Sequence, residues 1–374
     1  MLDQETLALL LRGLSAITWQ SCVMLCVAFA LFYLAIVKDY EPLLLLPIGA
    51  GCMLANLPLS PMMGEHGMLQ ILYDMGVENE LFPLFIFIGI GALTDFGPLL
   101  ENPKFVLLGA AGQFGIFLTL ILALMLGFTQ PEAVSIGIIG AIDGPTSIYV
   151  SGLLAPHMLG PITVAAYSYM SLVPIIMPPC IYLMTSKNER MIHMEYSSRK
   201  ISRFTRISFP IIVTVVVGSC VPFATPLIGT LMLGNLMRES GAVERLCNAS
   251  SNEIANTVTL FLGLAIGSTM VGEKFIKVQT LYILILGLFA FALDCVTGVF
   301  FAKILNIITG GKVNPIIGSA GISAFPMAAR VCQRVAQEED FENFLLMHAM
   351  GANAAGQVAS VVAGGVVLAL MGTA

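Results

Sequence analysis

The stretch that decides the fold is SIGIIGAIDGPTSIYVSG, residues 135–152. It lies inside a hydrophobic segment long enough to cross a membrane, yet it carries Asp143 followed at once by Gly144 and Pro145. Glycine tolerates non-helical backbone angles, and proline has no N–H to donate to a helix. We therefore expect a helix to break at Asp143, in the middle of this segment.

The composition of the whole chain indicates a membrane protein. Of 374 residues, 57% are hydrophobic and 11% are charged, and the mean hydropathy is +0.91. Soluble domains carry about 25% charged residues, and one soluble core could not cover so much apolar surface. The chain is therefore expected to be an all-α, polytopic integral membrane protein. Its net charge of −6 gives no reason to expect a nucleic-acid partner.

The chain divides into about eleven hydrophobic segments separated by polar or Gly/Pro-rich turns. They lie near residues 18–37, 43–57, 82–98, 104–127, 132–155, 160–184, 207–235, 255–271, 279–305, 313–336 and 343–372. Residues 3–15 predict a short amphipathic helix at the membrane interface. The one long polar segment, 185–206, has an excess of Lys and Arg, so the positive-inside rule predicts that it is cytoplasmic.

Interrupted segments occur twice, in the same order. FIGIGALT (87–94) resembles FLGLAIGST (261–269), and each is followed by a charged turn and a long apolar helix. IIGAIDGPTS (138–147) then matches IIGSAGISAFP (316–326). Pairs of interrupted segments at corresponding positions are typical of transporters built from repeats, with the binding site where the breaks meet.

This order of segments predicts two inverted repeats whose interrupted helices meet at the membrane midplane. Five regions are expected on this basis. They are an interfacial helix with scaffold spans (1–80), a first repeat (81–184), a basic cytoplasmic loop (185–206), a connecting span and loop (207–254) and a second repeat (255–374).

Asp143 is the first candidate for a site residue. A charged Asp at the centre of a membrane helix costs about 2.5–3.5 kcal/mol on insertion scales. Carbonyl groups freed by the break, together with the carboxylate, would form an oxygen-rich cage suited to Na⁺ or H⁺. The alternative is that Asp143 only caps the half-helix that begins after it, and the two interpretations are compatible.

Other polar residues lie at comparable depth around the two breaks. They are Asn314, Ser319, Ser323, Arg330, Tyr167, Ser168, Tyr169, Ser171, His348, Asn353, Gln357 and Ser360. Any single serine of this kind is explained equally well by a hydrogen bond within its own helix, so the clustering carries the argument. Asp294 lies deep in segment 279–305 without a helix breaker. Its simplest interpretation is an interhelical hydrogen bond or a pairing with the helix end that carries Lys303.

Three motifs that would supply energy or chemistry are missing from the sequence. TGGKVN (309–314) lacks the GxxxxGK[ST] spacing of a P-loop, and no lysine has the Met-Lys-Met setting of a biotin carrier. No His/Cys/Asp cluster has the spacing of a zinc site. If the protein pumps, its energy must come from a gradient or from the chemistry of a partner.

Four motifs together resemble one family. AIDGPTSIYVSG, AAYSYMSLVP, NPIIGSAGISAFPMAARV and NFLLMHAMGANAAGQ look like the β subunit of the sodium-pumping biotin-dependent decarboxylases, and the similarity covers nearly the whole chain. Those complexes act on oxaloacetate, methylmalonyl-CoA, glutaconyl-CoA or malonate. The resemblance implies a subunit of the bacterial or archaeal cytoplasmic membrane that decarboxylates carboxybiotin and exports Na⁺.

The resemblance also implies partners and site residues. Biotin-carrier and carboxyltransferase subunits would supply carboxybiotin, and a small membrane-anchoring subunit and membrane lipid would complete an oligomeric complex. The Na⁺ ligands would be Asp143, Asn314, Ser323, Tyr169, Asn353 and Ser360.

Carboxybiotin would be handled by Arg330, Gly318 and Tyr169. A guanidinium can hold a carboxylate through two parallel hydrogen bonds and remains charged when buried. Arg330 would therefore clamp carboxybiotin, the resemblance adds Gly318 to the same binding site, and Tyr169 would either relay a proton or bind Na⁺. The alternative for Arg330 is an ordinary arginine flanking a membrane segment.

A second class of function also fits the interrupted helices. A secondary Na⁺/organic-anion transporter would have the same broken-helix site and no chemistry. A purely structural membrane anchor is a third possibility, but it does not explain a carboxylate in the middle of a span.

Overall fold

The computed structural model describes residues 12–13, 15–64, 66–195 and 201–372. No β-strand occurs in these ranges, where helices make up the regular structure, and the all-α prediction is confirmed. The interfacial helix predicted at 3–15 lies largely outside the described residues, as does part of the basic loop, 196–200.

The helices fall into two halves separated by the basic loop. The first half contains α1 (Trp19–Val37), α2 (Pro42–Asn56), α3 (Leu81–Leu93), α4 (Val106–Ala111), α5 (Phe114–Met125), α6 (Gln130–Gly137), α7 (Gly144–Leu154) and α8 (Leu159–Met184). The second half contains α9 (Arg203–Cys220), α10 (Thr225–Ser240), α11 (Ala255–Thr269), α12 (Val278–Ile308), α13 (Met327–Glu339) and α14 (Leu346–Met371).

Short helical turns connect these helices. The α-helical turns are Met68–Tyr73, Gly97–Glu101, Lys187–Arg190, Glu244–Ala249 and Gly272–Phe275. The 3₁₀ turns are Pro61–Met63, Pro103–Phe105, Ile138–Ala141, Pro156–Met158, Pro222–Ala224 and Pro315–Ala320, and the π turns are Asp74–Glu78 and Ser250–Ile254.

Six helical segments in the described ranges are long and apolar enough to cross a membrane, and α2 with the turns after it forms one further, bent candidate. The prediction of a single hydrophobic segment at 207–235 is wrong, because these residues form two helices. α9 ends at Cys220, a 3₁₀ turn follows at Pro222–Ala224, and α10 begins at Thr225. Pro222 cannot donate a backbone hydrogen bond to α9, so the helix stops before it.

Polar contacts at the helix ends define the two faces of the bundle. On the basic-loop face they join Arg190 to Glu339, Lys303 to Glu189 and Arg238 to Asp95. On the distal face they join His157 to Glu132 and Asn56 to Met270.

One helix pair, α2 with α11, is held together by reciprocal glycine contacts. A Cβ atom on Gly51 would lie 2.2 Å from the carbonyl oxygen of Leu264. A Cβ atom on Gly267 would lie 2.1 Å from the carbonyl oxygen of Ile48. Only glycine permits so close an approach of the two backbones, which is how membrane helices commonly pack.

A second pair, α10 with α3, repeats the same arrangement. A Cβ atom on Gly234 would lie 2.0 Å from the Ile88 oxygen, and one on Gly91 would lie 1.9 Å from the Leu231 oxygen. Each pair therefore joins a helix of the first half to a helix of the second half, with α2 equivalent to α10 and α11 equivalent to α3.

Equivalent helices run in opposite directions. α2 ends on the distal face, whereas α10 ends on the basic-loop face. We propose on this basis that the repeats span 19–184 and 203–371, which is longer than the predicted 81–184 and 255–374. The basic loop then lies between them.

Replacing Gly234 by alanine is expected to destabilise the protein by about 1–3 kcal/mol, the usual effect of overpacking, because the new methyl group would overlap the Ile88 carbonyl. Gly229 lies in the same helix with no atom within 4 Å of an added Cβ. Gly229→Ala is therefore the matched control and should be neutral or stabilising. Heat-induced unfolding of the purified variants measures the difference. Equal midpoints would contradict the assigned contact.

Candidate functional site

The first interrupted segment breaks where the sequence predicts. A 3₁₀ turn, Ile138–Ala141, follows α6, and Ile142 adopts a left-handed conformation with φ of 52°. Asp143 is extended, and α7 begins at Gly144 with Pro145 in its first turn. Asp143 caps α7, since its Oδ1 accepts the backbone N–H of Thr146 at 3.4 Å. The capping interpretation is thus confirmed, and it leaves the second carboxylate oxygen for other contacts.

The other oxygen of Asp143 is held by hydroxyl groups from both halves of the chain. Oδ2 accepts hydrogen bonds from the Thr146 hydroxyl at 2.7 Å and from the Ser360 hydroxyl at 2.8 Å. Ser360 lies on α14, and its hydroxyl is also 3.0 Å from the carbonyl of Gln357. Asp143 is 3% exposed. A buried carboxylate fixed by rotatable hydroxyls can exchange those hydrogen bonds for a cation.

The second interrupted segment meets the first at this point. It runs from the 3₁₀ turn Pro315–Ala320 to the start of α13, and the Ser323 N–H donates to the Ala141 carbonyl at 3.3 Å. The freed Ile322 carbonyl accepts from the Asn353 amide at 2.6 Å. Asn353 therefore holds the backbone of the break, and nothing places it on the carboxylate itself.

A cavity of about 200 Å³ lies between the two breaks. Its polar lining consists of Asp143, Ser323, Gln357, Thr259, Tyr167 and Glu41. The predicted ligands Asp143 and Ser323 thus share one cavity. Ser360 is not part of the cavity wall, but its hydroxyl donates a hydrogen bond to the Asp143 carboxylate. The described residues contain no group of three or more His, Cys, Asp or Glu side chains that could hold a metal. Neutral oxygens would have to complete any cation site here.

Tyr167, and not Tyr169, lines this cavity. The Tyr167 ring covers Gly144 so closely that an added Cβ there would lie 2.1 Å from the ring. Residues two apart on a helix point about 200° from each other. Tyr169 accordingly faces α12, where its hydroxyl donates to the Leu284 carbonyl. The structure does not bring Tyr169 together with Asp143, so its predicted role as a Na⁺ ligand lacks structural support.

Asn314 and Gly318 also lie apart from the cavity. The Asn314 amide donates to the carbonyls of Arg190 (2.9 Å) and Ile192 (2.8 Å), and its oxygen accepts from the Ile316 N–H. An added Cβ on Gly318 would lie 2.1 Å from the Gly298 oxygen. In the structure, Asn314 holds the basic loop and Gly318 permits close backbone packing. Their contacts with Na⁺ and carboxybiotin remain predictions.

Arg330 lies on α13, the helix that follows the second break, and is exposed. Its side chain makes no hydrogen bond or ion pair within the described ranges. It is not part of the cavity wall around Asp143. Arg330 is therefore available to a partner or substrate that approaches from outside the helix bundle.

Arg190 links the basic loop to the C-terminal end of α13. The guanidinium donates to Glu339 at 2.8 and 2.5 Å and to the Thr185 carbonyl at 2.6 Å, and it lies 4.7 Å from the centre of the Tyr182 ring. Its own carbonyl accepts from two asparagine side chains.

Two further contacts link the basic loop to the rest of the bundle. Lys303 of α12 lies 3.1 Å from Glu189. The ring of His193 is hydrogen-bonded to Asp340 at 2.7 Å, and this bond lowers the pKa of Asp340. The loop thus holds the second interrupted segment in place at the basic-loop face.

Arg190→Ala is expected to lower stability by about 2 kcal/mol, because it removes hydrogen bonds to a charged, largely buried partner. The matched control is Lys187→Ala. Lys187 reaches the same Glu339 at 4.0 Å, but its side chain is 68% exposed, and exposed ion pairs contribute little. Thermal unfolding of both variants in detergent measures the difference. A loss at Lys187 as large as that at Arg190 would contradict this assignment.

Asp294 is explained by an interhelical hydrogen bond, one of the two predicted interpretations. Its Oδ1 accepts the N–H of Gly115 in the first turn of α5. The carboxylate thus caps α5 from a neighbouring helix, at the positive end of the helix dipole. Lys303 pairs with Glu189 instead.

Thr146 and Glu41 are site residues that sequence reasoning missed. Thr146 could have been found, because a capping residue commonly bonds the residue three positions later. Glu41 lies far from both breaks in sequence, and only the tertiary structure brings it to the cavity.

Comparison with known proteins gives a consistent result. Residues 20–371 match the family described as Na⁺-transporting oxaloacetate decarboxylase beta subunit. The methylmalonyl-CoA decarboxylase subunit beta of Veillonella parvula is 52% identical, covering 96% of this chain and 95% of the relative. The glutaconyl-CoA decarboxylase subunit beta of Acidaminococcus fermentans is 51% identical, covering 96% of each. The oxaloacetate decarboxylase beta chain 2 of Salmonella typhimurium is 44% identical, covering 97% of this chain and 98% of the relative.

Proposed function

Because the chain belongs to the family of the Na⁺-transporting oxaloacetate decarboxylase β subunits, we propose that the cavity around Asp143 is the Na⁺ site of a carboxybiotin decarboxylase. The chain is a multi-pass membrane subunit that couples decarboxylation to Na⁺ transport. Family membership favours this pump over the alternative of a Na⁺/organic-anion transporter without chemistry.

One observation carries the assignment of the site. The buried Asp143 carboxylate lies at a helix break and accepts hydroxyl hydrogen bonds from both halves of the chain. A cation bound there would contact Thr146 of the first half and Ser360 of the second. Ion binding would therefore act on the interface between the halves, which a transport cycle has to change.

The position of the cavity fits export from the cytoplasm. Glu41 precedes α2, which ends on the distal face, so this part of the wall lies toward the basic-loop face. The positive-inside rule makes that face cytoplasmic. In a bacterial or archaeal cytoplasmic membrane, Na⁺ would enter the cavity from inside the cell.

The chemistry requires a partner that carries biotin. In decarboxylation, the C–N bond of the N-carboxylate breaks, its electron pair stays on nitrogen and takes up one proton, and CO₂ leaves. Arg330 would bind the carboxylate of carboxybiotin through two parallel hydrogen bonds from its guanidinium group. Biotin-carrier and carboxyltransferase subunits would supply carboxybiotin, and a small anchoring subunit would complete the complex. The acid consumed belongs to the partner's reaction, and the relatives named above act on different acids.

The purified chain alone is expected neither to decarboxylate free acids nor to move Na⁺, because it has no biotin-attachment lysine and no carboxyl-transfer motif. The whole complex in liposomes should accumulate Na⁺ when the acid is added, and avidin should stop both reactions. Release of CO₂ from the free acid, with Na⁺ uptake, measures the two activities. Na⁺ transport by the chain without biotin carrier or acid would overturn the proposal and favour the simple transporter.

A further inference from the structure

The cavity around Asp143 has a second acidic residue in its wall. Glu41 lies in the connection between α1 and α2 and is one of the residues that line the same cavity of about 200 Å³. It forms no capping hydrogen bond with α2. Within the described ranges it has no ion pair with Lys, Arg or His. Glu41 is thus a partly buried carboxylate that neither caps a helix nor neutralises a basic residue.

The backbone of Glu41 is strained. Its φ of 37° and ψ of 59° are left-handed, which costs about 1–2 kcal/mol for a residue other than glycine. The Glu41 carbonyl accepts the backbone N–H groups of Leu44 at 3.1 Å and Leu45 at 3.0 Å, so the first turn of α2 helps to maintain this conformation. Glu41 lines the cavity, and burial raises the pKa of its carboxyl group. Both the backbone and the side chain are held at a cost to stability.

Tyr167 connects the two carboxylates along one wall. Its phenol is within electrostatic reach of both Asp143 and Glu41. Asp143 and Glu41 line the same small cavity, so a cation bound inside it would be attracted to both carboxylates. Ser323 and Thr259 contribute neutral oxygens to the same wall. Ser323 is 5% exposed, and its hydroxyl interacts with the Asp143 carboxylate.

We propose that Glu41 and Tyr167 form an outer Na⁺ site at the mouth of the cavity, from which the ion passes to Asp143. The proposal rests on the proposed function of the Asp143 cavity. Glu41 lies toward the basic-loop face, ahead of Asp143 for an ion that enters there. A carboxylate at the mouth of a low-dielectric cleft concentrates cations before they reach the inner site.

Glu41→Gln in the intact complex tests this site, because it removes the charge and keeps the size of the side chain. We expect the half-saturating Na⁺ concentration for turnover to rise about tenfold, a loss of about 1.4 kcal/mol. Turnover at saturating Na⁺ should stay within about twofold of wild type, because Asp143 is intact. Binding of radioactive Na⁺ to the purified complex should decrease by one site per chain. Glu41→Asp should restore part of the affinity.

Glu80→Gln is the matched control. Glu80 has the same left-handed backbone, with φ of 62°, and precedes α3 without capping it. It interacts with Tyr149 and lies outside the wall of the Asp143 cavity. Its variant should keep the Na⁺ dependence and the Na⁺ occupancy of wild type.

The possible outcomes separate this proposal from the proposed function. Wild-type Na⁺ dependence and occupancy in Glu41→Gln, with Asp143→Asn inactive, would overturn the outer site alone. A lower maximal rate without a change in Na⁺ affinity or occupancy would also overturn it, since that result indicates a structural role. If Asp143→Asn still binds and transports Na⁺, the function proposed for the whole cavity fails.

Discussion

Replacing Asp143 by asparagine is expected to abolish Na⁺-dependent decarboxylation while the chain remains folded. Asparagine keeps the size of the side chain and one oxygen that can cap α7 through the Thr146 N–H. The Ser360 hydroxyl can turn to the Gln357 carbonyl, which already lies 3.0 Å away. The negative charge, however, is lost. Breaking a buried charge pair costs about 3–5 kcal/mol, so Na⁺ affinity should fall at least about a hundredfold.

Na⁺ uptake and CO₂ release by the reconstituted complex measure this effect, and the elution profile after heating reports folding. Asp74→Asn is the matched control, because Asp74 is exposed and its side chain accepts a hydrogen bond from the nearby Gln70. It should behave as wild type. Normal Na⁺-dependent turnover in Asp143→Asn would remove Asp143 from the ion site, whatever its contacts.

Arg330→Lys is expected to lose at least about nine-tenths of the turnover although the charge is kept. The Arg330 side chain is exposed and makes no hydrogen bond or ion pair within the described structure. A substrate carboxylate can therefore reach the N–H groups of its guanidinium. Lysine is a point charge and cannot form two parallel hydrogen bonds to a planar carboxylate. The loss should occur mainly in the maximal rate with carboxybiotin, and the half-saturating Na⁺ concentration should change little.

Arg334→Lys provides the comparison for Arg330. Arg334 lies on the same helix and already bonds the Pro174 carbonyl at 2.9 Å. Its conservative variant should retain nearly full activity. Full activity in Arg330→Lys with loss only in Arg330→Ala would show that charge suffices without a bidentate clamp. An active Arg330→Ala would show that Arg330 only flanks a membrane segment.

Features that depend on backbone chemistry could be predicted from the sequence. Gly144 and Pro145 cannot continue a helix, so the break at Asp143 was predictable from three residues. Of the six predicted Na⁺ ligands, four gather around the breaks, namely Asp143, Ser323, Asn353 and Ser360. Each lies in a segment where polar residues interrupt an apolar pattern, and such interruptions are visible without a structure.

Features that depend on helix rotation or on distant packing were not predictable. Tyr167 and Tyr169 lie in the same motif, and only the orientation of α8 decides which of them faces Asp143. Glu41 belongs to a connection that reads as an ordinary polar turn. Asn314 is near the second break in sequence, but its amide is turned toward the basic loop. Local pattern does not report which way such a side chain points.

The glycine contacts between α2 and α11 and between α3 and α10 also bear on biogenesis. Translation inserts α2 and α3 into the bilayer before the ribosome has made the helices that cover Gly51 and Gly91. Until then these narrow grooves lack their partner helices, and no hydrophobic driving force between helices can close them inside the membrane. Final pairing is therefore a late, post-insertion step. A nascent chain that stops within the basic loop would therefore leave Gly51 and Gly91 without their partner helices.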